Sequence, residues 1–413
     1  MTKKLCVIGG GAAGMMAAGT AALYGADVTV FEATDRLGKK LAITGKGRCN
    51  VTNRCNTEEF LENVISNPRF LYTALSEFDT ENTVTFFNSL GVELKTERGK
   101  RVFPVSDKAK DIVDALRKYC ENVNIVYEKV TSVTKNTDGS FTVTSKKSDY
   151  PFDAVIIATG GKSYPLTGSD GSGYRLAEKL GHKVTSLSPS LVPIESKSQI
   201  CKELQGLSLK NVSITVKDSN KNKVFSDFGE MMFTHFGVTG PMILSASSHL
   251  KKQDIKSLTL SIDLKPALDE KTLDARLLSD FKNQSNKDFI NSLGALLPSK
   301  LIEPFVRETN IDPRKKVNNI TKEERKRIIE KLKNLEIELY RFRPIEEAII
   351  TSGGIEVKEV NPKTMESKIV SGLFFAGEIL DLDAYTGGFN VQIAFSTGYL
   401  AGKSSAELYL GEY

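Results

Sequence analysis

The sequence predicts an α/β chain in which a Rossmann-like nucleotide-binding domain is split by an insertion. Three observations predict it. Leu5 to Ile8 is a short apolar strand that runs into Gly9-Gly10-Gly11-Ala12-Ala13-Gly14, a G-x-G-x-x-G turn. An alanine-rich helix and a second strand, Asp27 to Phe31, follow and end on Glu32. After a long middle stretch of different texture, apolar strands and glycine turns return near Arg343-Pro344.

Each part of the fingerprint has a physical role. Gly9 permits the tight turn, Gly11 lets backbone approach a pyrophosphate, and Gly14 lets helix pack on strand. Ala12 and Ala13 then supply free N–H groups at a helix N-terminus, where an anion is stabilised. Glu32, followed by Ala33, stands where a ribose-binding acid belongs and repels a 2′-phosphate, so the nucleotide is FAD or NAD and not NADP. Lys3 and Lys4 precede an apolar run, as in a signal peptide, but the glycines interrupt it.

Composition narrows the class. The chain has 413 residues, 40% apolar and 26% charged, as in a globular protein of two or three domains. No apolar run is long enough to span a bilayer, and the cytoplasm is the expected location. Five cysteines without a C-x-x-C indicate neither a disulfide framework nor a dithiol pair, and three scattered histidines give no metal site. The net charge is +5, with nine Lys/Arg between Arg314 and Lys333. Such a run is a solvated helix face or a nucleic-acid contact.

Along the chain, a Gly/Lys/Asn loop spans Arg36 to Asn53 and helical patterns run from Thr57 to Leu90. Ser106 is a plausible N-cap for a helix over 107–120, and strands are expected at 124–133, 141–145 and 153–161. Alternating segments at 212–216 and 258–262 suggest an antiparallel sheet or barrel, and charged helices fill 271–335. The expected division is a nucleotide-binding part at 1–190, a β-barrel-like insertion at 191–270, a helical subdomain at 271–335, and the return at 336–413.

Three features select FAD. Asp35 to Lys40 resembles the extension after the ribose acid in two-dinucleotide-binding flavoproteins. Ile156 to Gly161, with Thr159 and Gly160, resembles their inner strand, and Leu373 to Glu378 their late strand, whose acid binds the ribityl chain. Glu378 is a longer version of the usual Asp. The segments Gly45-Lys46-Gly47-Arg48-Cys49-Asn50-Val51-Thr52-Asn53, Arg101 to Pro104, Phe233 to Pro241, and Gly377 to Gln392 resemble the BaiN/RdsA family of bacterial FAD-dependent oxidoreductases nearly end to end. Ala384 replaces an expected Gly, and Phe389 a common Tyr.

The resemblance implies a split FAD domain, an inserted β-barrel-like domain and a small helical part. The expected FAD-binding set is Gly9, Gly11, Ala12, Ala13, Gly14, Glu32, Ala33, Lys40, Thr44, Gly45, Gly47, Arg48, Asn50, Val130, Thr159, Gly160, Gly377, Glu378, Gly388, Phe389, Asn390 and Val391. Gly387-Gly388 and the small-residue helix after them would aim N–H groups at the flavin edge that gains charge on reduction. Arg48 could meet a phosphate or substrate anion, or form a surface salt bridge. Cys49, as proton donor, and His235, on the substrate side, are the catalytic candidates; each has a structural alternative as a packed residue.

The expected activity is reduction of an activated C=C bond by reduced FAD, with NADH or NADPH as transient electron donor. The family implies a uracil of ribosomal RNA, slightly favoured by the basic run, an unsaturated 3-oxo bile acid, or an amine oxidised by O₂. A non-catalytic flavin-binding protein is the alternative class. The oligomeric state is left open.

Overall fold

The computed structural model describes residues 3–251 and 253–407 and falls into two compact units. The first ends at Ser190 and resumes at Ile345; the second is Leu191–Pro344. The first unit is built on five parallel strands, β1 (Lys4–Ile8), β2 (Asp27–Phe31), β3 (Asn124–Val126), β4 (Ala154–Ile157) and β5 (Leu373–Phe375), in the order β5-β4-β1-β2-β3. β4 and β5 are buried throughout and read as unbroken apolar runs, as strands covered on both faces do.

Helix α1 (Ala12–Leu23) starts directly at the glycine turn. The last helix, α3 (Phe389–Glu407), lies against it through small residues. A Cβ on Gly398 would sit 2.5 Å from the Ala13 carbonyl oxygen, and one on Gly402 would sit 2.3 Å from that of Ala17. The two helices therefore touch backbone to backbone, and only glycine fits at those two points. Between them in sequence, α2 (Ala109–Tyr119) buries Ala109, Ile112, Val113, Ala115 and Leu116 along one stripe.

Several local expectations change. Ser106 does not cap α2. Lys108 holds the N-cap position, and Ser106 instead bonds to the Lys108 N–H and the Asp111 carboxylate. The strand expected at 124–133 is two strands in different sheets, because Tyr127–Lys129 leave the extended ladder and Val130–Lys135 pair with Phe141–Ser145. Residues 39–43 of the expected glycine loop form a helical turn before the backbone breaks at Thr44.

The second unit carries a seven-stranded antiparallel sheet with its own hydrophobic cluster. Its strand order begins at Leu335–Glu338 and ends at Arg341–Phe342. These edge strands are nearly consecutive in sequence, so the sheet rolls until its edges adjoin. The return strands 335–338 and 341–342 thus belong to the insertion's sheet, and residues of the helices Glu270–Asn283, Ser299–Thr309 and Lys322–Lys333 share its cluster.

The basic run of this unit is partly neutralised from within. Lys315 pairs with Glu324 at 2.7 Å, Lys316 with Asp288 at 2.8 Å, Arg325 with Asp274 at 2.5 Å and Lys333 with Asp263 at 2.6 Å. Three of these carboxylates, Asp263, Asp274 and Asp288, lie outside the run, so their share of the compensation is not visible in it.

Candidate active site

A cavity with about 1210 Å³ of empty space, part of it open to solvent, lies at the carboxyl ends of β1 and β4 in the first unit. It is lined by Gly9 to Ala13, by Glu32 and Ala33 after β2, by Ala158 to Gly160 after β4, and by Ala376 and Glu378 after β5. Crevices at the carboxyl ends of parallel strands, where strand order reverses, are where this architecture holds nucleotides.

The α1 end of the cavity is a cradle for phosphate. Gly11 is the N-cap of α1 and makes no side-chain cap, so the first-turn N–H groups have no intrahelical acceptor. A Cβ on Gly11 would meet nothing within 4 Å, whereas one on Gly14 would lie 1.8 Å from the Gly9 oxygen. Gly11 thus opens space for a ligand, and Gly14, which does not line the cavity, closes the turn. Glu32 accepts the Gly10 N–H at 2.9 Å and the Thr34 N–H at 2.7 Å, which fixes its carboxylate at the rim.

At the β5 end, Glu378 accepts Lys40 Nζ at 2.6 Å, the Ser163 hydroxyl at 3.0 Å and the Thr351 N–H at 2.9 Å. Lys40 Nζ also donates to Ser163 at 2.7 Å. Four chain segments therefore meet at one neutralised charge pair. Asn390, Val391 and Ala394 of the first turns of α3 complete the lining. Asn390 is fixed by two bonds to the Ala384 backbone, 2.9 Å from N–H and 2.7 Å to oxygen, so Ala serves there as well as Gly.

These residues suit FAD. The cradle at α1 and the first turn of α3 both border one cavity, and Thr159 Oγ1 lines it as a buried polar atom with no protein partner. Of the expected set, Gly9, Gly11, Ala12, Ala13, Glu32, Ala33, Lys40, Thr44, Val130, Thr159, Gly160, Glu378, Asn390 and Val391 line it.

Others do not. Gly377 packs on α1, where a Cβ would fall 2.7 Å from Ala13 Cβ, and its N–H bonds to Thr397. Gly388 presses on Thr52, 2.4 Å from where a Cβ would stand, and Phe389 is a core ring 5.2 Å from Phe60. Gly45, Gly47 and Asn50 belong to the loop behind Thr44. Arg48 is held by Glu97 and by Asp107, at 2.9 Å from Nε, and lies 4.1 Å over the Phe103 ring. It takes the salt-bridge alternative; its guanidinium holds the Glu97 carboxyl below its usual range.

Cys49 is wholly buried, has φ 58°, and does not line the cavity. Burial pushes its thiol up to about 12, partly offset by a bond to Thr44. His235 belongs to the second unit, exposed in the turn between strands 223–234 and 237–239, with its ring edge-on to Phe236 at 5.0 Å.

The cavity also has a wall that the fingerprint does not announce. Thr167, Gly168, Ser169 and Ser172 line it, with Lys129 beside them. Lys129 pairs with Asp170, whose other oxygen accepts the N–H of Ser172, the first residue of the helix Ser172–Lys179, at 2.9 Å. The glycine-rich Gly168-Ser169-Asp170-Gly171-Ser172-Gly173 before a helix was the available signal. Lys129 had none.

A model described as the HI0933-like protein Rossmann domain matches residues 3–404. The chain is 29% identical over 410 residues to a 3-dehydro-bile acid delta(4,6)-reductase of Clostridium scindens, covering 98% of this chain and 99% of that enzyme. It is 30% identical over 409 residues to a ribosomal RNA dihydrouridine synthase of Escherichia coli, covering 97% and 98%. Among solved structures, a 3-ketosteroid-delta4-(5alpha)-dehydrogenase from Rhodococcus jostii superimposes with a TM-score of 0.54 at 14% identity, over 98% of this chain and 97% of that one, a likeness of fold. With the family match running almost from end to end over a fold whose cavity keeps the dinucleotide cradle, the chain belongs to the HI0933-like family.

Proposed function

We propose that this protein is an FAD-dependent oxidoreductase that reduces a carbon–carbon double bond conjugated to a carbonyl, with NADH or NADPH as electron donor. The observation that carries the reading is one cavity bordered both by the uncapped start of α1 and by the first turn of α3. The two relatives named above differ in substrate size and polarity. A 3-oxo steroid with ring unsaturation and a uracil nevertheless share one reactive unit, C=C–C=O.

The chain's residues divide the work. The α1 N–H groups would hold the pyrophosphate and Glu32 the ribose. Glu378 would hold the ribityl hydroxyls, with Lys40 keeping its charge balanced. The first-turn N–H groups of α3 would favour negative charge at the flavin edge. Bound FAD supplies the two-electron chemistry. Hydride addition at the far carbon of the double bond would place charge on the carbonyl oxygen, so a proton must reach the carbon α to the carbonyl.

The test is anaerobic reduction of the purified yellow protein by NADH and by NADPH, followed by mixing with a 4-en-3-one steroid or with ribosomal RNA lacking dihydrouridine. Rapid reoxidation by a conjugated carbonyl, with the saturated product recovered, is expected. Reoxidation only by O₂, with turnover of a primary amine, would replace this reading with amine oxidation.

A further inference from the structure

In the second unit, cations converge on one aromatic side chain. Lys197 Nζ lies 4.0 Å from the centre of the Tyr340 ring, Lys256 Nζ 5.5 Å and the Arg341 guanidinium 5.7 Å. Next to them, Arg343 lies 4.7 Å over Phe236. These residues come from four separate stretches of chain, brought together where Ile194–Glu195 pairs with both Gly237–Val238 and Arg341–Phe342.

The carboxylates nearby leave the two lysine charges standing. Glu195 is buried and holds Arg341 at 2.7 Å and Arg343 at 2.8 Å. Burial raises its proton affinity, but the two guanidiniums outweigh that and keep the carboxyl below its usual range. Asp254 accepts the Lys256 N–H at 3.2 Å as a local cap. Lys197 and Lys256, both exposed, form no ion pair among the described residues. The Arg341 side chain is 62% exposed. Like charges gathered around one ring repel each other, and a bound polyanion would relieve that repulsion. The basic helix run differs, because Lys315, Lys316, Arg325 and Lys333 are spent on internal pairs.

We propose that the face formed by Lys197, Phe236, Lys256, Tyr340, Arg341 and Arg343 docks single-stranded RNA. Lysines and arginines neutralise phosphates, and once phosphates draw the cations off the Tyr340 and Phe236 rings, bases can stack there in their place. A compact patch of strand ends and turns, without an amphipathic helix, suits a nucleic-acid strand better than a lipid surface. The proposal rests on the reductase reading for its biological use. Binding is nevertheless measured without turnover, so failure of either is seen separately.

The experiment is fluorescence anisotropy of a fluorescein-labelled, uridine-rich single-stranded RNA with the full-length, oxidised flavin-loaded protein across a potassium chloride series. Lys197→Ala with Lys256→Ala should weaken binding about tenfold and flatten the log Kd against log salt slope by about 1.4, as for two lost phosphate contacts. Tyr340→Leu should weaken it about tenfold with the slope unchanged. Neutralising Lys315, Lys316 and Lys333, whose charges are already paired internally, should change affinity less than about twofold. Flavin content and thermal melting of each variant report folding. An unchanged Kd and slope in the double variant overturns the proposal, as does a wild-type protein that binds phosphatidylglycerol vesicles but not RNA.

Discussion

Thr52 donates its hydroxyl to Gln392 Oε1 at 2.6 Å across 340 residues of chain, and neither side chain is exposed to solvent. Thr83 donates to the same oxygen at 2.8 Å. The Gln392 amide nitrogen donates to the Phe78 and Asp79 carbonyls and to Ser396, at 3.0 to 3.2 Å. One amide thereby ties the start of α3, and with it Asn390 and Val391 at the cavity, to two distant segments, Thr52 and residues 78–83.

Gln392→Leu should therefore be costly. It keeps the volume roughly but strands the Thr52 hydroxyl in an apolar setting, at about 1–3 kcal/mol for a group left unpaired, while Thr83 keeps the Asp79 carbonyl at 3.1 Å. Urea unfolding should show a loss of about 2 kcal/mol. A loss below about 1 kcal/mol would mean that the network relaxes onto other partners.

Gly398→Val tests the contact between the helices. Its side chain would enter the Ala13 carbonyl, so α1 and α3 must separate and the cradle at Gly11 to Ala13 must shift. Overpacking of this kind costs about 1–3 kcal/mol or more. The purified variant should be colourless or should lose its flavin on gel filtration. Full flavin content at wild-type affinity would show that the helix pair yields elsewhere.

Cys49→Ala separates chemistry from packing. With the thiol sealed, protonated at neutral pH and away from the cavity lining, kcat should stay within about threefold of wild type. A general acid contributes on the order of 10²-fold or more. A loss of that size, with FAD still bound and reducible, would assign the proton to Cys49.

Asp170 sets an acid limit on the cavity wall. Burial opposes its charge, but Lys129, Ser172 and the helix N–H outweigh burial and bring it from 3.8 to about 2. A carboxyl lowered by folding adds stability above its unfolded value and loses it as pH falls toward the folded one. Thermal stability should therefore drop between about pH 4 and pH 2. Asp170→Asn should be less stable at neutral pH and show a shallower fall across that window. Parallel pH curves for the two proteins would place the acid sensitivity at other carboxylates.

What the sequence disclosed follows from reach. The strand, glycine turn, helix and Glu32 lie within one local unit, and each residue type has a single physical use there, so the cradle was readable. The late strand with Glu378 was readable for the same reason. Arg48, Gly377 and Gly388 sit in equally suggestive motifs, yet their partners are Glu97 and Asp107, Ala13, and Thr52. Spacing along the chain cannot separate a glycine that admits a ligand from one that admits another strand. Nor could it show that carboxylates such as Asp263, Asp274 and Asp288 would absorb part of the basic run. Tyr340 carries no motif, and its cationic neighbours become visible only when strand pairing gathers them.

The seam of the inserted segment has a consequence for how such proteins diversify. Ser188–Ser190, the last residues before the insertion, pair antiparallel with Ile350–Ser352, shortly after its end. Exit and re-entry are therefore stapled about one strand spacing apart, close to 5 Å, by the nucleotide-binding body itself. Whatever chain lies between them starts and finishes at a fixed doorway, and each doubling of its length adds only about 0.6 kcal/mol of closure entropy. Evolution can thus exchange the whole cassette at that doorway, trading one recognition surface for another, while the flavin chamber keeps its walls.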